Sequence, residues 1–330
     1  MLKPIIYLYA ISFILGAAGA LLISIYGHRL GLLDKPNERS SHSKEIPKGG
    51  GIGILFALII SSFIVEFNQY FLLSTALIAA FSLVGDKIDI APKFRLPLQF
   101  GAAFLFLVPT LLSKSVLPSS IFSPMFFLYI AYSFFIVGTA NFYNFMDGIN
   151  GIAGLTGIIT FGLVGIYAFF FGINPPIGKI SICIVLACLG FLPFNLLKAI
   201  VFLGDVGSIL LGFAFAALVV QLSKSFLDFF CLVAFLFPIY ADALTTLFVR
   251  LIGKKSLFRP HRQHMYQLLA NEMGIAHWKV SVGYGILQLI IAGSVLMVRP
   301  FGILALLGLL LISFCGFTLV SFRVRNSIAI

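Results

Sequence analysis

Four aspartates in three polar stretches could bind a metal ion, although the chain around them is mainly apolar. Asp86 and Asp89 are three residues apart in GDKIDIAPKFRL, so on a helical turn they would share a face. Asp147 follows in NFYNFMDGIN, and Asp205 lies between two glycines in LGDVGS. Carboxylates that meet at one site repel each other unless a cation is present, and oxygen-only ligands suit Mg²⁺, with Mn²⁺ as an alternative. We predict that these aspartates are catalytic and form a metal–phosphate site.

Three asparagines extend this pattern. Asn141 and Asn144 precede Asp147 at intervals of three residues, so one helix face would carry all three side chains, and Asn150 follows. A polar helix end that caps itself and bonds to neighbouring helices is the alternative. That alternative explains the asparagines better than it explains the acid.

The other aspartates also have simpler explanations. Asp86 and Asp89 could form salt bridges within their own loop, which contains Lys87, Lys93 and Arg95. Asp205 could be no more than the N-cap of the apolar segment that follows it, because aspartate is common at that position.

A basic stretch, RLIGKKSLFRPHRQHMYQL over 250–268, supplies positive charge. Arginine forks bind phosphate oxygens with two hydrogen bonds, so His261, Arg262 and His264 suit a diphosphate. Tyr266 could stack on a base, although packing is the simpler role for one tyrosine. The alternative is that these charges only orient the chain in a membrane.

A glycine-rich loop, DKPNERSSHSKEIPKGGGIGI over 34–54, precedes an apolar segment. Glycines allow a ligand to approach the backbone closely, and a helix N-terminus favours an anion. An ordinary flexible loop with a glycine hinge is the alternative.

The composition places most of the chain in a membrane. Of 330 residues, 60% are hydrophobic and 10% are charged, whereas a soluble protein has about 25% charged residues. A membrane helix needs about 20 mainly apolar residues. We predict one all-α polytopic domain over 1–330 with about eleven transmembrane helices. They lie near 4–26, 49–66, 70–84, 96–113, 125–143, 149–171, 178–194, 207–222, 226–249, 278–297 and 300–321.

The basic residues predict which side of the membrane each loop faces. With eleven spans, 17 of the 22 Lys and Arg residues fall in or beside loops on one side, and five fall on the other. Positive loops stay in the cytoplasm, so the N-terminus is expected outside and the C-terminus inside. The charge of +11 is thus an orientation signal, and no nucleic acid partner is predicted. The predicted catalytic loops, all cytoplasmic, are 27–51, 85–95, 141–151, 195–208 and 250–279.

These loops resemble the polyprenyl-phosphate N-acetylhexosamine-1-phosphate transferases, also called glycosyltransferase family 4. NFYNFMDGINGIAG is similar to the family's Asn-x-x-Asn-x-x-Asp-Gly motif, and VFLGDVGS is similar to its Phe-x-Gly-Asp-x-Gly-Ser motif. HRQHMYQ resembles the form found in members that initiate O-antigen and related glycans. The resemblance implies transfer of a sugar-1-phosphate from a UDP-sugar to undecaprenyl phosphate, with release of UMP and a requirement for Mg²⁺.

The resemblance also implies roles for individual residues. Asp205 and Asp86 are expected to hold the metal, and Asn144 and Asp147 to shape the nucleotide and metal pocket. The predicted substrate-binding residues are Asn37, Arg39, Ser41, His42, Gly50, Asn141, Asn144, Asn150, Asn195, Lys198, His261, Arg262 and His264. One departure stands out, because Gly85 occupies a position where the family usually has the first of two adjacent acids.

The expected location is the bacterial cytoplasmic membrane, with the active site facing the cytoplasm and the lipid bilayer and a second copy of the chain as partners. Phospho-N-acetylmuramoyl-pentapeptide transfer is the alternative activity, although its enzyme has a different histidine-rich loop. A transporter is the alternative from another class. It would place polar groups near the bilayer midplane, where only Asp242 is a candidate.

Overall fold

The computed structural model describes residues 2–36, 41–88, 90–112, 124–171, 174–254 and 262–328. Within them, ten helical segments are long and apolar enough to cross a membrane, which confirms an all-α polytopic membrane protein. The helices are α1 (Leu2–Leu30), α2 (Ile52–Ile64), α3 (Gln69–Lys87), α4 (Pro92–Leu112), α5 (Pro124–Phe145), α6 (Ile152–Phe170), α7 (Pro175–Phe191), α8 (Asp205–Leu222), α9 (Phe226–Val233), α10 (Phe237–Ile252), α11 (Met265–Gln267), α12 (His277–Val298) and α13 (Ile303–Ser327).

Helix α8 is the centre of the bundle, and α3 and α5 pack directly against it. Its side chains from Val206 to Val220 are buried on every face of the helix. A helix that is apolar all round suits a position surrounded by other helices. At the other extreme, α13 lies at the periphery and exposes Leu304, Leu311 and Ile312.

Two predicted spans differ from the helices that form. The segment near 49–66 yields only the 13 residues of α2, about 20 Å of helix, because the glycines before Ile52 bond to another loop. The segment near 226–249 forms one helical stretch, Phe226–Ile252, in which a 3₁₀ turn at Ala234–Leu236 separates α9 from α10. Pro238 follows in the first turn of α10, where its missing N–H costs no hydrogen bond.

Polar loops gather at the end of the bundle where α3, α5 and α10 end and α4, α6 and α8 begin, which we call the site face. A two-stranded antiparallel ribbon lies there, formed by β1 (Leu33–Asp34) and β2 (Ile46–Pro47). Lys48 then pairs with Phe202 in a parallel bridge. The glycine-rich loop and the loop before α8 are thereby joined, although the sequence did not predict any strand.

Glycines bring the first helices into backbone contact. A Cβ at Gly53 in α2 would lie 2.2 Å from the Leu15 carbonyl oxygen of α1, and one at Gly190 in α7 would lie 2.2 Å from Phe13 O. Small residues at such crossings allow membrane helices to pack closely. The packing of α1 against α2 and α7 therefore depends on these glycines.

Gly53→Ala should lower the melting temperature of the detergent-purified protein, with a loss of about 2 kcal/mol, because overpacking forces the helices apart. Gly162→Ala is the matched control, since nothing lies within 4 Å of a Cβ at Gly162 of α6. Equal melting temperatures for the two variants would contradict the close α1–α2 contact.

Candidate active site

Asp86 caps helix α8 from a distant part of the chain. Its Oδ1 accepts a hydrogen bond from Asp205 N at 3.0 Å, and its Oδ2 accepts one from Val206 N at 3.1 Å. Gly204 occupies the N-cap position itself, with φ of +75°. A Cβ there would lie 2.7 Å from Asp86 Oδ2, so only glycine suits this junction. The alternative in which Asp205 is merely the N-cap does not apply, because Gly204 occupies that position and Asp86 supplies the capping oxygens.

Arg95 connects α4 to the start of α8. Its Nη1 donates to Asp205 Oδ2 at 2.5 Å, and its Nε donates to Ile90 O at 2.7 Å. Lys48 Nζ lies 4.0 Å from Asp86 Oδ1. Asp86 thus has Lys48 as a basic partner, and Asp205 has Arg95. The alternative of salt bridges within 85–95 also involves Asp89, which lies outside the described residues.

The helical turn predicted from Asp86 onward ends early, because helix α3 ends at Lys87 and Ile88 is extended with φ of −119° and ψ of 131°. The predicted shared face with Asp89 lies outside the described residues. Four predicted site residues lie outside the described residues, and these are Asn37, Arg39, Asp89 and His261.

The asparagines of α5 fasten that helix to its neighbours. Asn141 Nδ2 donates to Gln99 Oε1 at 2.6 Å and to Val137 O at 2.7 Å. Asn144 Oδ1 accepts from Ser208 Oγ of α8 at 2.8 Å. These contacts match the alternative in which the asparagines bond to neighbouring helices, and they also hold Asn144 beside the start of α8.

Asp147 lies just beyond the end of α5 and interacts electrostatically with the other carboxylates of the site. Burial, and to a smaller extent the negative charges of Asp205, Asp86 and Asp34, together raise the pKa of Asp147 to about 8. The three predicted aspartates within the described residues are thus brought to one face and interact electrostatically. A cation among them would offset this repulsion.

The donor chemistry here suits a hard divalent cation. Among the described residues, no three His, Cys, Asp or Glu side chains are arranged to hold a metal ion. Mg²⁺ does not require such a cage, because one or two carboxylates, water and substrate phosphates usually complete its coordination. Asp205 and Asp147 therefore fit Mg²⁺ in a site shared with a substrate. Asp86 already accepts two backbone hydrogen bonds, and its role as a ligand stays a prediction.

The glycine-rich loop serves the fold more than it serves a ligand. The N–H groups of Gly49 and Gly50 donate to Phe202 O at 3.2 and 2.9 Å, and Gly51 N donates to Leu203 O at 2.9 Å. The Gly50 N–H therefore bonds to Phe202 O, at the place where the sequence predicted the approach of a ligand. The glycines permit close contact between two loops.

Two other predicted residues of this loop are His42 and Ser41. His42 Nε2 is 3.1 Å from Asp34 Oδ2, and its Nδ1 is 2.7 Å from Lys44 O. The hydroxyl of Ser41 is buried and has no hydrogen-bond partner among the described residues. Both side chains are half-buried on the site face, which leaves their predicted contact with a substrate as a prediction.

Three further predicted residues have different surroundings. Asn195 is buried, accepts from Gly151 N at 2.6 Å and donates to Val201 O at 2.9 Å, so it organises the loop before α8. The backbone of Asn150 bonds to α12 through His277 and Ser281. Lys198 is exposed. Of the three, Lys198 is the side chain best placed to meet a soluble anion.

Buried Asp242 holds the basic loop in position. Its Oδ1 accepts from Met265 N at 2.8 Å, and its Oδ2 accepts from Tyr266 N at 3.2 Å and from Tyr284 OH at 2.7 Å. His264 Nδ1 lies 3.5 Å from the same carboxylate. His264 is therefore turned into the protein, whereas Arg262 is half-buried at the start of this loop.

Tyr266 joins the basic loop to the site. Its hydroxyl donates to Phe145 O at 2.9 Å. A Cβ at Gly148 would lie 2.2 Å from the Tyr266 hydroxyl oxygen. The packing role considered for Tyr266 thus agrees with the structure. Its hydroxyl bonds to the backbone at Phe145, two residues before Asp147.

The sequence interpretation missed the site roles of Arg95, Lys48 and Asp242. Asp242 carried a signal, because an acid within an apolar span usually has a specific partner. Lys48 and Arg95 carried none, because their carboxylate partners are far away along the chain.

Comparisons with known proteins identify the family. The profile of glycosyl transferase family 4 matches residues 68–223. An undecaprenyl-phosphate alpha-N-acetylglucosaminyl 1-phosphate transferase of Thermotoga maritima is 28% identical over 259 residues, 78% of this chain and 79% of the relative. A phospho-N-acetylmuramoyl-pentapeptide-transferase of Staphylococcus aureus is 30% identical over 267 residues, 73% of this chain and 81% of the relative. The chain belongs to glycosyl transferase family 4.

The match to glycosyl transferase family 4 includes Asp86, Arg95, Asp147 and Asp205, and it confirms the resemblance seen in the motifs. A third relative, a probable undecaprenyl-phosphate N-acetylglucosaminyl 1-phosphate transferase of Bacillus subtilis, is 26% identical over 262 residues, 76% of this chain and 72% of the relative. The names of the relatives thus contain two different transferred groups, N-acetylglucosaminyl 1-phosphate and phospho-N-acetylmuramoyl-pentapeptide.

The raised pKa of Asp147 predicts how stability depends on pH in a chelating buffer. The folded state keeps a proton that the unfolded chain releases above about pH 4. The stability that the folded state gains from keeping this proton is complete below that pH, and it is lost as the pH rises through the folded-state pKa of about 8. Melting temperatures from pH 5 to 8.5 should fall more steeply for the parent protein than for Asp147→Asn. Parallel curves would contradict the raised pKa.

Asp242→Asn should release the basic loop, because an amide cannot accept all the hydrogen bonds that the carboxylate accepts. We expect a loss of about 3 kcal/mol and faster hydrogen exchange over residues 262–272, with unchanged exchange in α6. Glu272→Gln, at an exposed position of the same segment, is the control. Unchanged exchange over 262–272 would exclude this role for Asp242.

Proposed function

We propose that this family 4 chain transfers an N-acetylhexosamine-1-phosphate from a UDP-sugar to undecaprenyl phosphate, with release of UMP. The supporting observation is the junction of Asp86, Arg95 and Asp205 on the site face, where α3 ends and α4 and α8 begin. Asp205 and Arg95 are each about a quarter exposed there. A lipid-borne phosphate and a soluble diphosphate can both reach such a position.

The proposed surface is the cytoplasmic face of the bacterial cytoplasmic membrane. The excess of Lys and Arg in the loops of the site face supports this orientation. The relatives come from bacteria, and the HRQHMYQ motif favours initiation of a surface glycan such as O-antigen.

The proposed reaction is an in-line transfer between phosphates. An oxygen of the lipid phosphate forms a bond to the β-phosphorus of the UDP-sugar. The bond from that phosphorus to the bridging oxygen breaks, and UMP leaves with that oxygen and its electron pair. A lipid-linked sugar diphosphate remains.

The attacking phosphate does not need a dedicated base. A phosphomonoester has a second pKa of about 6, so most of it is already doubly ionised near neutral pH. Phosphoryl transfer then depends mainly on positioning and electrostatics. The absence of an acid at Gly85 is compatible with this chemistry.

The residues of the chain have positioning roles in this proposal. Asp205 and Asp147 would hold Mg²⁺, which supplies positive charge beside the phosphate oxygens. Asp86 fixes the amides that begin α8 and with them the carboxylate of Asp205. Asn144 and Asp147 border the nucleotide pocket, and Arg262 with His261 binds the donor diphosphate. His264 supports that loop through Asp242.

A second candidate is transfer of phospho-N-acetylmuramoyl-pentapeptide. The 30% identity to the Staphylococcus aureus enzyme with that name favours it. The two candidates share the acceptor and the leaving group, so only the donor distinguishes them.

A donor panel tests the proposal. Purified protein with undecaprenyl phosphate and Mg²⁺ should release UMP from a UDP-N-acetylhexosamine, but not from UDP-N-acetylmuramoyl-pentapeptide. Chelation should stop release, and Asp205→Asn should lower turnover by at least a hundredfold because the ligand charge is lost. Glu66→Gln, on the opposite face, is the control and should keep parental turnover.

Release only from the pentapeptide donor would establish the second candidate. Release from neither donor would overturn the proposed function, and near-parental turnover of folded Asp205→Asn would remove that carboxylate from the site.

A further inference from the structure

The last helix, α13, lies at the edge of the bundle but is buried along part of one face. Phe317, Ser321 and Arg325 are buried, and because they are four residues apart they share that face. The Phe317 ring meets Tyr284 of α12 at a centroid distance of 6.4 Å, and α13 also packs against α10 and α11. The buried face of α13 therefore lies against the segment that carries the basic loop.

Arg325 is the charged residue of this face, and only 4% of it is exposed. Its Nη2 donates to Gln263 O at 2.6 Å and to Thr246 Oγ1 at 3.1 Å. Its Nε donates to Ser321 Oγ at 3.3 Å. An arginine is rarely buried unless its guanidinium is paired. These contacts place a fixed positive charge next to the backbone of the basic loop at Gln263.

Orientation in the membrane does not explain the burial of this charge. Arg323 has the same charge and lies two residues earlier on α13, but it is exposed. A positive residue at the end of a membrane helix orients the chain equally well from an exposed position, whereas burial adds a cost of desolvation. The contacts of Arg325 therefore indicate a role that Arg323 does not share.

Thr246 links Arg325 to Asp242. Its hydroxyl accepts from Arg325 and donates to Asp242 Oδ1 at 3.2 Å, and the charges of Asp242 and Arg325 also attract each other. Asp242 accepts from the amides of residues 265–266. Arg325 instead donates to the carbonyl of Gln263. The two charges thus hold the same short segment through backbone groups of opposite polarity.

The held segment carries side chains that are proposed to meet the donor diphosphate. Gln263 lies between Arg262 and His264, so the orientation of its carbonyl sets the direction in which the backbone presents Arg262. A loop that is already ordered loses less conformational entropy when it binds a ligand. Removal of the Gln263 contact should therefore weaken diphosphate binding, although Arg325 itself is buried away from the ligand.

We propose that Arg325 is a positioning residue for the diphosphate of the donor, and that α13 braces the basic loop through the contact of Arg325 with Gln263 O. This inference rests on the proposed function for the identity of the donor. The competing explanation is that Arg325 only stabilises the packing of α13. A brace predicts a loss of affinity for the donor alone, whereas a packing role predicts the same loss for both substrates.

Binding of UDP with Mg²⁺ to the detergent-purified full-length protein, measured by isothermal titration calorimetry without the lipid acceptor, tests the brace. Arg325→Gln should weaken binding about tenfold, because the ligand must then order the loop. Arg325→Lys should weaken it less, since an ammonium keeps the charge but not the planar fork. Arg323→Gln is the matched control, which removes the same charge from an exposed position of α13, and should stay within about twofold of the parent.

Hydrogen exchange and lipid binding separate positioning from general stability. Arg325→Gln should speed exchange over 262–272 without ligand and leave α6 unchanged. Affinity for undecaprenyl phosphate, measured by native mass spectrometry, should stay within about twofold of the parent. Melting temperatures establish that each variant is folded. Thr246→Val removes one of the two acceptors of Arg325 Nη2, should show the same pattern with a smaller change, and carries the test if Arg325→Gln does not fold.

Steady-state kinetics give the same distinction in an active protein. Arg325→Gln should raise the KM for the UDP-sugar about tenfold and leave the KM for undecaprenyl phosphate within about twofold. Equal loss of affinity for UDP and for undecaprenyl phosphate would overturn the brace in favour of a packing role. An equal effect of Arg323→Gln would overturn it in favour of net charge.

The outcome is independent of the transfer assay. Parental UDP binding by folded Arg325→Gln and Thr246→Val would overturn the brace even if the parent releases UMP. Weaker UDP binding with faster exchange over 262–272 would support the brace even if no donor releases UMP, and the proposed function alone would then fail.

Discussion

The carboxylate of Asp86 accepts hydrogen bonds from the first two amides of α8, and the arrangement of the site depends on this contact. The first amides of a helix have no partner within the helix, and the helix dipole favours negative charge beside them. Here the cap is supplied by the last turn of α3. One contact thus joins two membrane helices and fixes the direction in which Asp205 projects.

The charges around this contact come from loops that are far apart in the chain. Lys48 approaches Asp86, and Arg95 contacts Asp205. Asp242 does for the basic loop what Asp86 does for α8, because it accepts from backbone amides of another segment. In both places a carboxylate positions the backbone of another segment.

Much of the fold could be predicted from the sequence, because lipid selects long apolar helices whose hydropathy is local. Every predicted span has a helical counterpart. The short α2 and the turn between α9 and α10 could not be predicted so readily. Helix α2 is short because the glycines before it bond to residues 202–203, and the turn between α9 and α10 consists of apolar residues. Neither feature changes the local hydropathy of the sequence.

The candidate site was predictable only in part, for a similar physical reason. The residue types of Asp86, Asp147 and Asp205 marked them as candidates. Their partners could not be predicted, because Asp86 and the Asp205 amide, like Arg95 and the Asp205 carboxylate, are more than 100 residues apart in the chain. Spacing rules describe one helix at a time. They therefore left the cap of α8 open as an alternative role for Asp205 and missed Arg95 as its ion-pair partner.

The short helix α2 links this protein to the thickness of its bilayer. Its 13 residues rise about 20 Å, whereas a typical hydrocarbon core is about 30 Å thick, and Phe56, Phe63 and Ile64 face outward. A helix shorter than the hydrocarbon core is matched by thinner lipid or by neighbouring groups, at a cost that grows with each ångström of mismatch. The glycine loop that begins α2 is bonded to the loop before α8, so a displacement of α2 would be transmitted to the segment that carries Asp205.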